Sequence, residues 1–442
     1  MINIRKELYI IMFCAAFISC NQAPLGYSRI QPINRELRGD STEIYVPEDF
    51  PIVAQRCIAK TSLSIHPGVL DKLSQECIDV YDMIEDYRYL SFENSENSIL
   101  GKIDDILIDD NRLFLVDHSN NRVLSFDKEG NFICKIGQRG KGHNEYLSLS
   151  HFSLNKRTKE VCILDFYSRK LLFYDYNGKH TNTKPLYYFT NAAAFHNDQI
   201  ILQTIFYESK NVPSVQKSHL VVTDMSMVPI SGILPNRGFP AWKENGGDFS
   251  VHPYRMLRTY PDGVYYSDVL SPDTIWRYDG EKVYNEFSAD FGPDNLFVTS
   301  EQYKTMTTEM YRNRINKVAY VRGYEFSKDF IWLRIRGVYM IVNRKTNKYI
   351  GCGTWYSGND VPSIIPNFLD CLGNEVFVWD WENNEFACFI DPIQLEDMAD
   401  YILKRDKTEE RDVPICAKDL HLLKNADAED NPVLLIFRIK SF

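Results

Sequence analysis

The segment from Gly137 to Tyr146, with the sequence GQRGKGHNEY, has the glycine content of a phosphate-binding loop. Two glycines with four residues between them match the spacing of that motif, but His143 stands where the motif requires lysine. A phosphate-binding loop also needs a helix behind it, whose free N–H groups face the ligand. The run that follows, 148–154, has the pattern of a strand. We therefore interpret the segment as a connecting loop that needs glycine dihedral angles.

Polar side chains in this loop and in two turns are the candidates for ligand recognition. The turns, 117–122 and 165–170, each lie between two apolar runs, and ligands bind where rigid strands hold such polar loops together. Asp117 and Asp165 recur at equivalent positions, and because Asp side chains bond to turn backbone, we assign both to a structural role. The binding candidates that remain are His118, Asn121, Arg122, Arg139, Lys141, His143, Glu145, Tyr167 and Arg169.

Sequence signals for catalysis and for metal binding are missing. The nine histidines form no H-x-H or H-E-x-x-H pattern, and the chain has no EF-hand loop and no G-x-S-x-G motif. We therefore predict no catalytic residue, no metal ligand and no cofactor.

The elements that position these residues repeat along the chain. Residues 113–130 and 161–178 align with an offset of 48 residues, and both consist of short apolar runs typical of strands. In each copy an Asp follows the first run, a second Asp comes ten residues later, and a Gly follows three residues after that. Looser copies lie at 199–224, 263–280, 330–347 and 374–389. The sequence thus contains six units between Ile99 and Ile390.

A unit of four short strands cannot bury both of its faces alone, and units stacked around an axis form a β-propeller. The repeat therefore predicts an all-β fold, a six-bladed β-propeller with short helical insertions. A pair of β-sandwiches is the alternative. A propeller is usually closed by a strand from one end of the chain, and both 87–92 and 432–440 fit this role, so the identity of the outermost strand stays open.

The stretch 99–178 resembles bacterial six-bladed β-propeller lipoproteins related to NHL-repeat proteins. The resemblance rests on the IDDI strand at 103–106, LVD at 115–117, FD at 126–127, Gly130 and the glycine-rich segment 136–146. Where that family usually has Pro-Gly before the glutamate, this chain has His143 and Asn144. The segment 429–440 is also similar to the family's C-terminal strand. The resemblance implies the propeller fold, and because most members have no assigned activity, it implies no particular reaction.

Two helices are predicted among the strands. Residues 299–302 form a capping box, and Asp391 followed by Pro392 is a second helix start. The apolar residues at helical spacing are Tyr303, Met306 and Met310 in the first helix, and Leu395, Met398 and Ile402 in the second. We expect these apolar faces to cover edges of the propeller.

The first twenty residues, MINIRKELYIIMFCAAFISC, have the pattern of an export signal. Arg5 and Lys6 precede an eleven-residue apolar run, which is too short to cross about 30 Å of hydrocarbon as a helix. The ending FISC resembles the lipobox of bacterial lipoproteins, in which the cysteine, here Cys20, carries the lipid and the chain is cut before it. An ordinary secretory signal with an incidental cysteine is the alternative.

We therefore divide the chain into three parts. These are a lipoprotein signal peptide at 1–19, a lipid-anchored tether and N-terminal segment at 20–74, and the propeller with its C-terminal helical insertion and closing strand at 75–442. Residues 21–51 are polar and lack periodicity, as a tether requires.

The ten cysteines include no C-x-x-C pair, which excludes zinc-ribbon and thioredoxin-like proteins. Cys134, Cys162 and Cys388 lie in apolar strand patterns, where a free thiol behaves as a small buried side chain. Cys57 and Cys77 could form a disulfide in an oxidising compartment.

The composition and the predicted cellular location together suggest the class of function. Fifty basic and sixty acidic residues give a net charge of −10, which argues against nucleic acid as a partner because phosphates require a basic face. The leading hypothesis is a binding or scaffolding module of the cell envelope, held to the membrane by the lipid on Cys20, with an envelope protein complex or a glycan as its partner. The lipid leaves open whether the module faces the periplasm or the cell surface.

Two alternatives remain. One is a metal-dependent propeller enzyme, a lyase or a hydrolase, whose ligands at the axis would come from several blades and form no sequence motif. The other is a polysaccharide-binding surface protein, for which Trp379 and Trp381 would supply rings for stacking, although packing between sheets uses such rings equally well.

Overall fold

The structure is a computed structural model, and it describes residues 52–53, 61–65, 78, 80–117, 119–186, 190–204, 218–235, 257–268, 271–292, 305, 307, 309–310, 321–335, 338–354, 376–409, 416–427 and 429–442. These residues form six small sheets, each built on four antiparallel strands, which follow one another along the chain and close into a ring. The fold is a six-bladed β-propeller, as the repeat predicts.

Three strands precede the first complete blade: β1 (Ile52–Val53), β2 (Thr61–Ser64) and β3 (Ile84–Leu90). Blade 1 consists of β4 (Ile103–Asp109), β5 (Arg112–Asp117), β6 (Arg122–Asp127) and β7 (Phe132–Ile136). Blade 2 consists of β8 (His151–Asn155), β9 (Glu160–Asp165), β10 (Lys170–Asp175) and β11 (His180–Pro185). Blade 3 consists of β12 (Thr190–His196), β13 (Gln199–Thr204), β14 (Ser218–Asp224) and β15 (Pro229–Pro235).

Blade 4 consists of β16 (Leu257–Tyr260), β17 (Gly263–Asp268), β18 (Ser271–Tyr278) and β19 (Val283–Asp290). Blade 5 consists of β20 (Val321–Phe326), β21 (Phe330–Ile335), β22 (Val338–Asn343) and β23 (Tyr349–Thr354). Blade 6 consists of β24 (Val376–Asp380), β25 (Glu385–Ile390), β26 (Val433–Ile439) and, on the outside, β3.

Middle strands of the blades are apolar over several consecutive residues because neighbouring blades cover both of their faces. All four residues of 113–116 in β5 and of 161–164 in β9 are buried, whereas a strand with one solvated face would alternate. The described residues form six apolar clusters, and each lies between two successive blades. The cluster that joins blade 6 to blade 1 brings Phe377 and Phe389 together with Leu124 and Phe126, which completes the ring.

The question of the closing strand has a definite answer. The C-terminal strand β26 pairs with β25 and is the third strand of blade 6, and the N-terminal strand β3 pairs with β26 as the outermost. An ion cluster fastens these three strands: Glu385 of β25 accepts hydrogen bonds from Arg88 of β3 at 2.9 and 3.0 Å and from Arg438 of β26 at 3.2 Å. We call this cluster the clasp.

First strands lie at the centre of the ring. Strand β12 contacts β8 and β16 of the two neighbouring blades, and β24 contacts β20 and β4. Because the strands of a blade alternate in direction, the turns between second and third strands share one end of the ring with the connections between blades. We call this end the crossover face, and it carries the predicted binding residues.

Two pieces of the segment 20–74 belong to the propeller sheets. Strand β1 pairs in parallel with the outer strand of blade 3, with Ile52 opposite Gly232, and β2 pairs in parallel with the outer strand of blade 4, with Thr61 opposite Phe287. Each covers a sheet edge that would otherwise present unpaired backbone groups. This part of the segment therefore adds to the folded body, and no sequence pattern predicted it.

The recurring Asp of the repeat organises the turn between the third and fourth strands. The carboxylate accepts hydrogen bonds from backbone N–H groups of the same turn, at 2.8–3.0 Å. The residues that do this in blades 1 to 4 are Asp127, Asp175, Asp224 and Asp279, and Asn343 takes the position in blade 5.

The recurring glycine has a steric reason. Gly130 and Gly178 have φ values of 87° and 81°, a conformation that other residues rarely adopt. A Cβ at Gly130 would lie 2.0 Å from the carbonyl oxygen of Ser91, and one at Gly178 would lie 2.3 Å from that of Lys135. The glycine thus allows each turn to approach the backbone of the preceding blade.

The helix predicted from Asp391 is present. The carboxylate of Asp391 accepts from the backbone N–H of Ile393 at 3.1 Å, and the short 3₁₀ turn Pro392–Gln394 leads into α1 (Leu395–Glu409). Leu395, Met398 and Ile402 are fully buried in the cluster shared by blades 5 and 6. The apolar face of this helix therefore packs against blades 5 and 6 of the propeller.

A second helix, α2 (Ala417–Asn425), was not predicted, and Cys416 caps it with its Sγ 3.4 Å from the backbone nitrogen of Asp419. A short 3₁₀ helix, Val80–Met83, precedes β3. The helix predicted from the capping box at 299–302 lies outside the described residues except for isolated positions between 305 and 310.

Of the three cysteines expected to be buried, Cys162 and Cys388 are buried and Cys134 is half-buried; all three are free thiols. Cys57 and Cys77 lie outside the described residues, as do the signal peptide and Cys20. In the part of the chain that the structure describes, no helix is long and apolar enough to span a membrane.

Candidate functional site

Asp117 organises the crossover face of blade 1. Its buried carboxylate accepts hydrogen bonds from the hydroxyl of Ser119 at 2.6 Å, the side-chain amide of Asn120 at 2.8 Å and the backbone N–H of Gly101 at 3.1 Å. Burial alone would raise the pKa of Asp117, but these hydrogen bonds to the charged form outweigh it and hold the pKa below its usual value. The turn is therefore tied to the connection that precedes the blade.

Asp165 plays the same part in blade 2. It accepts from the backbone N–H of Leu147 at 2.7 Å, from the hydroxyl of Ser148 at 3.0 Å and from the backbone N–H of Ser168 at 3.1 Å. The first two donors belong to the connection from blade 1, and the third belongs to the turn. The structural role predicted for the two aspartates is thus what the geometry shows.

Two of the predicted binding residues also hold backbone. Asn121 accepts from the N–H of Leu149 at 2.9 Å and donates to the carbonyl of Leu147 at 3.4 Å. Arg122 donates from Nε to Asp117 at 3.0 Å and from its terminal nitrogen to the carbonyl of Ile99. Their neighbour in the turn, His118, lies outside the described residues.

The glycine-rich loop is a packed connection, as predicted. Tyr146 is fully buried and donates its hydroxyl hydrogen bond to the carbonyl of Asn121 at 3.2 Å. Glu145 accepts from the N–H of Gly142 at 2.7 Å, and a Cβ at Gly137 would lie 2.6 Å from the ring of Tyr174. Strand β8 follows the loop in place of the helix that a phosphate site requires.

The remaining predicted residues reach solvent to different degrees. Arg139, Lys141 and His143 are exposed on the loop. In the turn of blade 2, Tyr167 is also exposed, whereas Arg169 is partly buried and burial lowers its pKa. The structure therefore brings Asn121, Arg122 and Glu145 into the framework of the face, and it presents Arg139, Lys141, His143 and Tyr167 on its surface.

The axis of the ring carries a charged cluster that the sequence analysis missed. Arg258 of β16 donates from Nη1 to Asp105 of β4 at 2.9 Å and from Nη2 to the same carboxylate at 3.1 Å. Nη2 also lies 3.0 Å from Oε1 of Glu325 on β20. The side chain of Arg258 is only 9% exposed. Inner strands of blades 1, 4 and 5 are thus joined through one guanidinium.

A second layer of contacts holds this axial cluster in place. Tyr260 donates its hydroxyl hydrogen bond to Glu325 at 2.9 Å and accepts one from the N–H of Phe326 at 3.1 Å. Burial and the Glu325 carboxylate both raise the pKa of Tyr260. Burial would lower the pKa of Arg258, but Asp105 and Glu325 outweigh it and raise the pKa further.

The chemistry of the axial cluster is that of a structural tie. One cation is paired with two carboxylates, and these groups are held by each other and by Tyr260. Within the described ranges no group of three or more His, Cys, Asp or Glu side chains could hold a metal ion. The available sequence signal was a charged residue between aromatic residues of a first strand, as with Glu325 between Tyr324 and Phe326.

A family model described as Domain of unknown function (DUF4934) matches residues 69–438, most of the chain. The protein belongs to the DUF4934 family. The matched region includes all four strands of each blade up to Arg438, and it therefore contains the axial cluster, the clasp and the crossover face. No curated protein matches this DUF4934 chain.

This DUF4934 protein is similar to solved structures. A "Putative exported protein" from Bacteroides fragilis NCTC 9343 is 18% identical with a TM-score of 0.62, over 86% of this chain and 99% of that chain. A member of the DUF4221 family from Bacteroides vulgatus ATCC 8482 is 10% identical with a TM-score of 0.45, over 81% and 98% of the two chains. At 18% identity the first likeness supports the propeller fold and says nothing about activity.

Proposed function

We propose that this DUF4934 protein is a lipid-anchored, non-catalytic binding or scaffolding module of the bacterial cell envelope. The observation that carries the proposal is the axial cluster. In propellers a ligand or metal at the axis needs side chains that converge on it, and here Arg258, Asp105 and Glu325 converge on one another. Recognition then falls to exposed loops, as in a scaffold.

The proposed location in the cell envelope rests on the N-terminal sequence. Residues 1–20 combine a basic start, a short apolar run and a lipobox-like ending at Cys20. Several acyl chains on that cysteine would anchor the protein stably, since each buried CH₂ adds about 0.8 kcal/mol. The Bacteroides fragilis protein of the same fold carries the name "Putative exported protein", which agrees with a location outside the cytoplasm. The resemblance of 99–178 to NHL-related propeller lipoproteins points to the same class.

Mass spectrometry of the protein from its membrane fraction tests the anchor. We expect a mature chain that begins at Cys20 and carries a diacylglyceryl group, and we expect Cys20→Ser to abolish both the modification and membrane retention. Cys14→Ser is the matched control, because it removes another cysteine of the same leader. An unmodified Cys20 with the leader still attached would refute the anchor.

Elemental analysis and turnover assays test the non-catalytic role. We expect the purified chain to contain no stoichiometric divalent metal and to leave lactone, glycan and peptide bonds intact. Metal-dependent turnover would replace the proposal with the propeller-enzyme alternative. Retardation of the protein in affinity electrophoresis on a glycan panel would instead identify a polysaccharide as the partner.

A further inference from the structure

Three large apolar side chains are exposed on the crossover face of blades 1 and 2. Ile99, Leu147 and Tyr167 are 49%, 40% and 49% exposed. Ile99 lies in the connection to blade 1, Leu147 in the connection to blade 2, and Tyr167 in the turn of blade 2. Exposed apolar residues that cluster, unlike single ones, mark interaction sites.

Hydrogen bonds link the segments that carry these three residues through the two turns. The adjacent residues Arg122 and Asn121 donate to the carbonyls of Ile99 and Leu147 respectively. The N–H of Leu147 donates to Asp165, the residue that begins the turn containing Tyr167. We call Ile99, Leu147 and Tyr167 the apolar row.

The row stands on a rigid support. Buried Asp117 and Asp165 fix the two turns, and buried Tyr146 joins the loop to the turn of blade 1. A surface that is already ordered loses little conformational entropy when a partner binds, which favours affinity.

The loop beside the row is basic in an otherwise acidic protein. Arg139, Lys141 and His143 are exposed on it, and Lys170 donates to the carbonyl of Glu145 at 2.7 Å. The single acid of the loop, Glu145, is engaged with the N–H of Gly142. Since the whole chain has a net charge of −10, this local excess of basic groups would steer an acidic partner to the row.

From this juxtaposition we propose that the apolar row and its basic loop dock an acidic peptide segment of a partner protein, one that carries large apolar side chains. Aliphatic Ile99 and Leu147 suit apolar peptide side chains, whereas a glycan would need a platform of rings. Tyr167 supplies the aromatic anchor that is common at binding hot spots. The inference rests on the proposed binding function and names the partner of that function.

Selection from a random 12-residue peptide display library on the whole chain, purified in detergent, tests the proposal. We expect the enriched peptides to be net acidic with at least two large apolar residues. A synthetic, fluorescein-labelled peptide from the selection is then the probe in anisotropy titrations. We expect its affinity to fall steeply as salt is raised, because charges on the loop contribute to binding.

Variants separate the two parts of the surface. We expect Leu147→Ser with Tyr167→Ser to weaken peptide binding at least tenfold, and Arg139→Gln with Lys141→Gln to weaken it and remove most of its salt dependence. Val228→Ser is the matched control, since Val228 is 47% exposed but lies in blade 3. Circular dichroism establishes that each variant is folded.

Enriched peptides without acidic character, or equal binding by all the variants, would overturn the proposal. Binding of polygalacturonate that is lost in the same variants, with no peptide selected, would also overturn it in favour of an anionic glycan. An unmodified Cys20 would refute the proposed anchor and leave the peptide titrations unaffected, so the two failures are distinguishable.

Discussion

Arg258 and Asp105 are 153 residues apart in the chain, and the guanidinium of one lies 2.9 Å from the carboxylate of the other. They stand on the first strands of blades 4 and 1, which face each other across a ring of six. Their contact therefore crosses the axis, and Glu325 adds blade 5 to it. A pair placed this way ties together blades that share no sheet and no apolar cluster.

Removal of Arg258 is expected to destabilise the whole ring. Arg258→Met leaves Asp105 and Glu325 buried without their cation, which costs about 3–5 kcal/mol when one member of a buried pair is lost. The free energy of unfolding in urea, followed by tryptophan fluorescence, measures the loss.

Two further variants make this prediction sharp. Replacement of all three charges, with Arg258→Met, Asp105→Asn and Glu325→Gln, is expected to recover at least half of the loss, because no unpaired charge stays buried. Arg157→Met breaks an exposed ion pair with Asp198 and is expected to change stability by less than about 1 kcal/mol. Equal effects of Arg258→Met and Arg157→Met would contradict a buried axial tie.

The sequence predicts those parts of the fold that depend on contacts recurring at a fixed spacing in each blade. The Asp of each third-strand turn bonds its own backbone, and Gly130 and Gly178 meet the backbone of the preceding blade, so both recur at a fixed spacing. The closing order was not predicted, because both 87–92 and 432–440 fit the role of a closing strand. Their positions depend on the clasp, whose members Arg88 and Glu385 are 297 residues apart.

The sequence indicates where the candidate binding residues lie but not what they contact. The repeat gives the position of each turn and of each connection between blades. Lys141 and Tyr167 could therefore be assigned to the same end of the ring, where both are exposed on the crossover face. Asn121 and Arg122 have the residue types of a binding turn, yet they bond the backbone of the adjacent connections, a contact that depends on tertiary structure. Arg258 was missed because its partners come from other blades and the sequence spacing between them carries no motif.

The clasp is expected to make stability depend on pH. Burial would raise the pKa of Glu385, but hydrogen bonds and charge from Arg88 and Arg438 outweigh it and lower the pKa below its reference value of 4.5. A carboxyl group with a lowered folded-state pKa stabilises the protein above its unfolded pKa, and this contribution is lost as the pH falls through the folded value. The loss therefore occurs below about pH 4.5.

Glu385→Gln tests this dependence. We expect a loss of about 1–2 kcal/mol at pH 7, reduced by the partial exposure of the two arginines, and a difference from the unmodified chain that shrinks towards pH 3. Urea unfolding across this pH range is the measurement. Glu382→Gln in the same hairpin removes an exposed pair with Lys328 and is the control, with little effect expected. A constant difference between pH 7 and pH 3 would show that Glu385 acts through something other than its charge.

Gly130→Ala is expected to destabilise the protein where the turn of blade 1 meets the backbone of blade 6. Residue 130 has a φ of 87°, and its new Cβ would lie 2.0 Å from the carbonyl oxygen of Ser91. The backbone conformation alone costs about 1–2 kcal/mol, and the collision adds to it. Gly323→Ala is the matched control, since its Cβ would meet only Arg334 at 3.9 Å or more, and a gain of up to about 1 kcal/mol is expected there. If both variants unfold at the same urea concentration, the glycine of the repeat has no steric role.

Replacement of Asp by Asn is expected to have different effects in the two turns of blade 1. Asp117 begins the turn between the second and third strands, and Asp127 begins the turn between the third and fourth strands. In Asp117→Asn one buried acceptor oxygen becomes an NH₂ group. If it replaces Oδ2 it faces the donors of Gly101 and of the Asn120 side chain, and if it replaces Oδ1 it faces the hydroxyl of Ser119, so we expect a loss of about 2–3 kcal/mol. Asp127→Asn leaves the oxygen that accepts from its own turn, and Asn343 fills this position in blade 5, so a change below about 0.5 kcal/mol is expected. Urea unfolding of the two variants side by side measures the contrast. The same small loss in both would mean that the turn of blade 1 does not depend on its charge, whereas a large loss in Asp127→Asn would mean that the Asx turn requires a carboxylate.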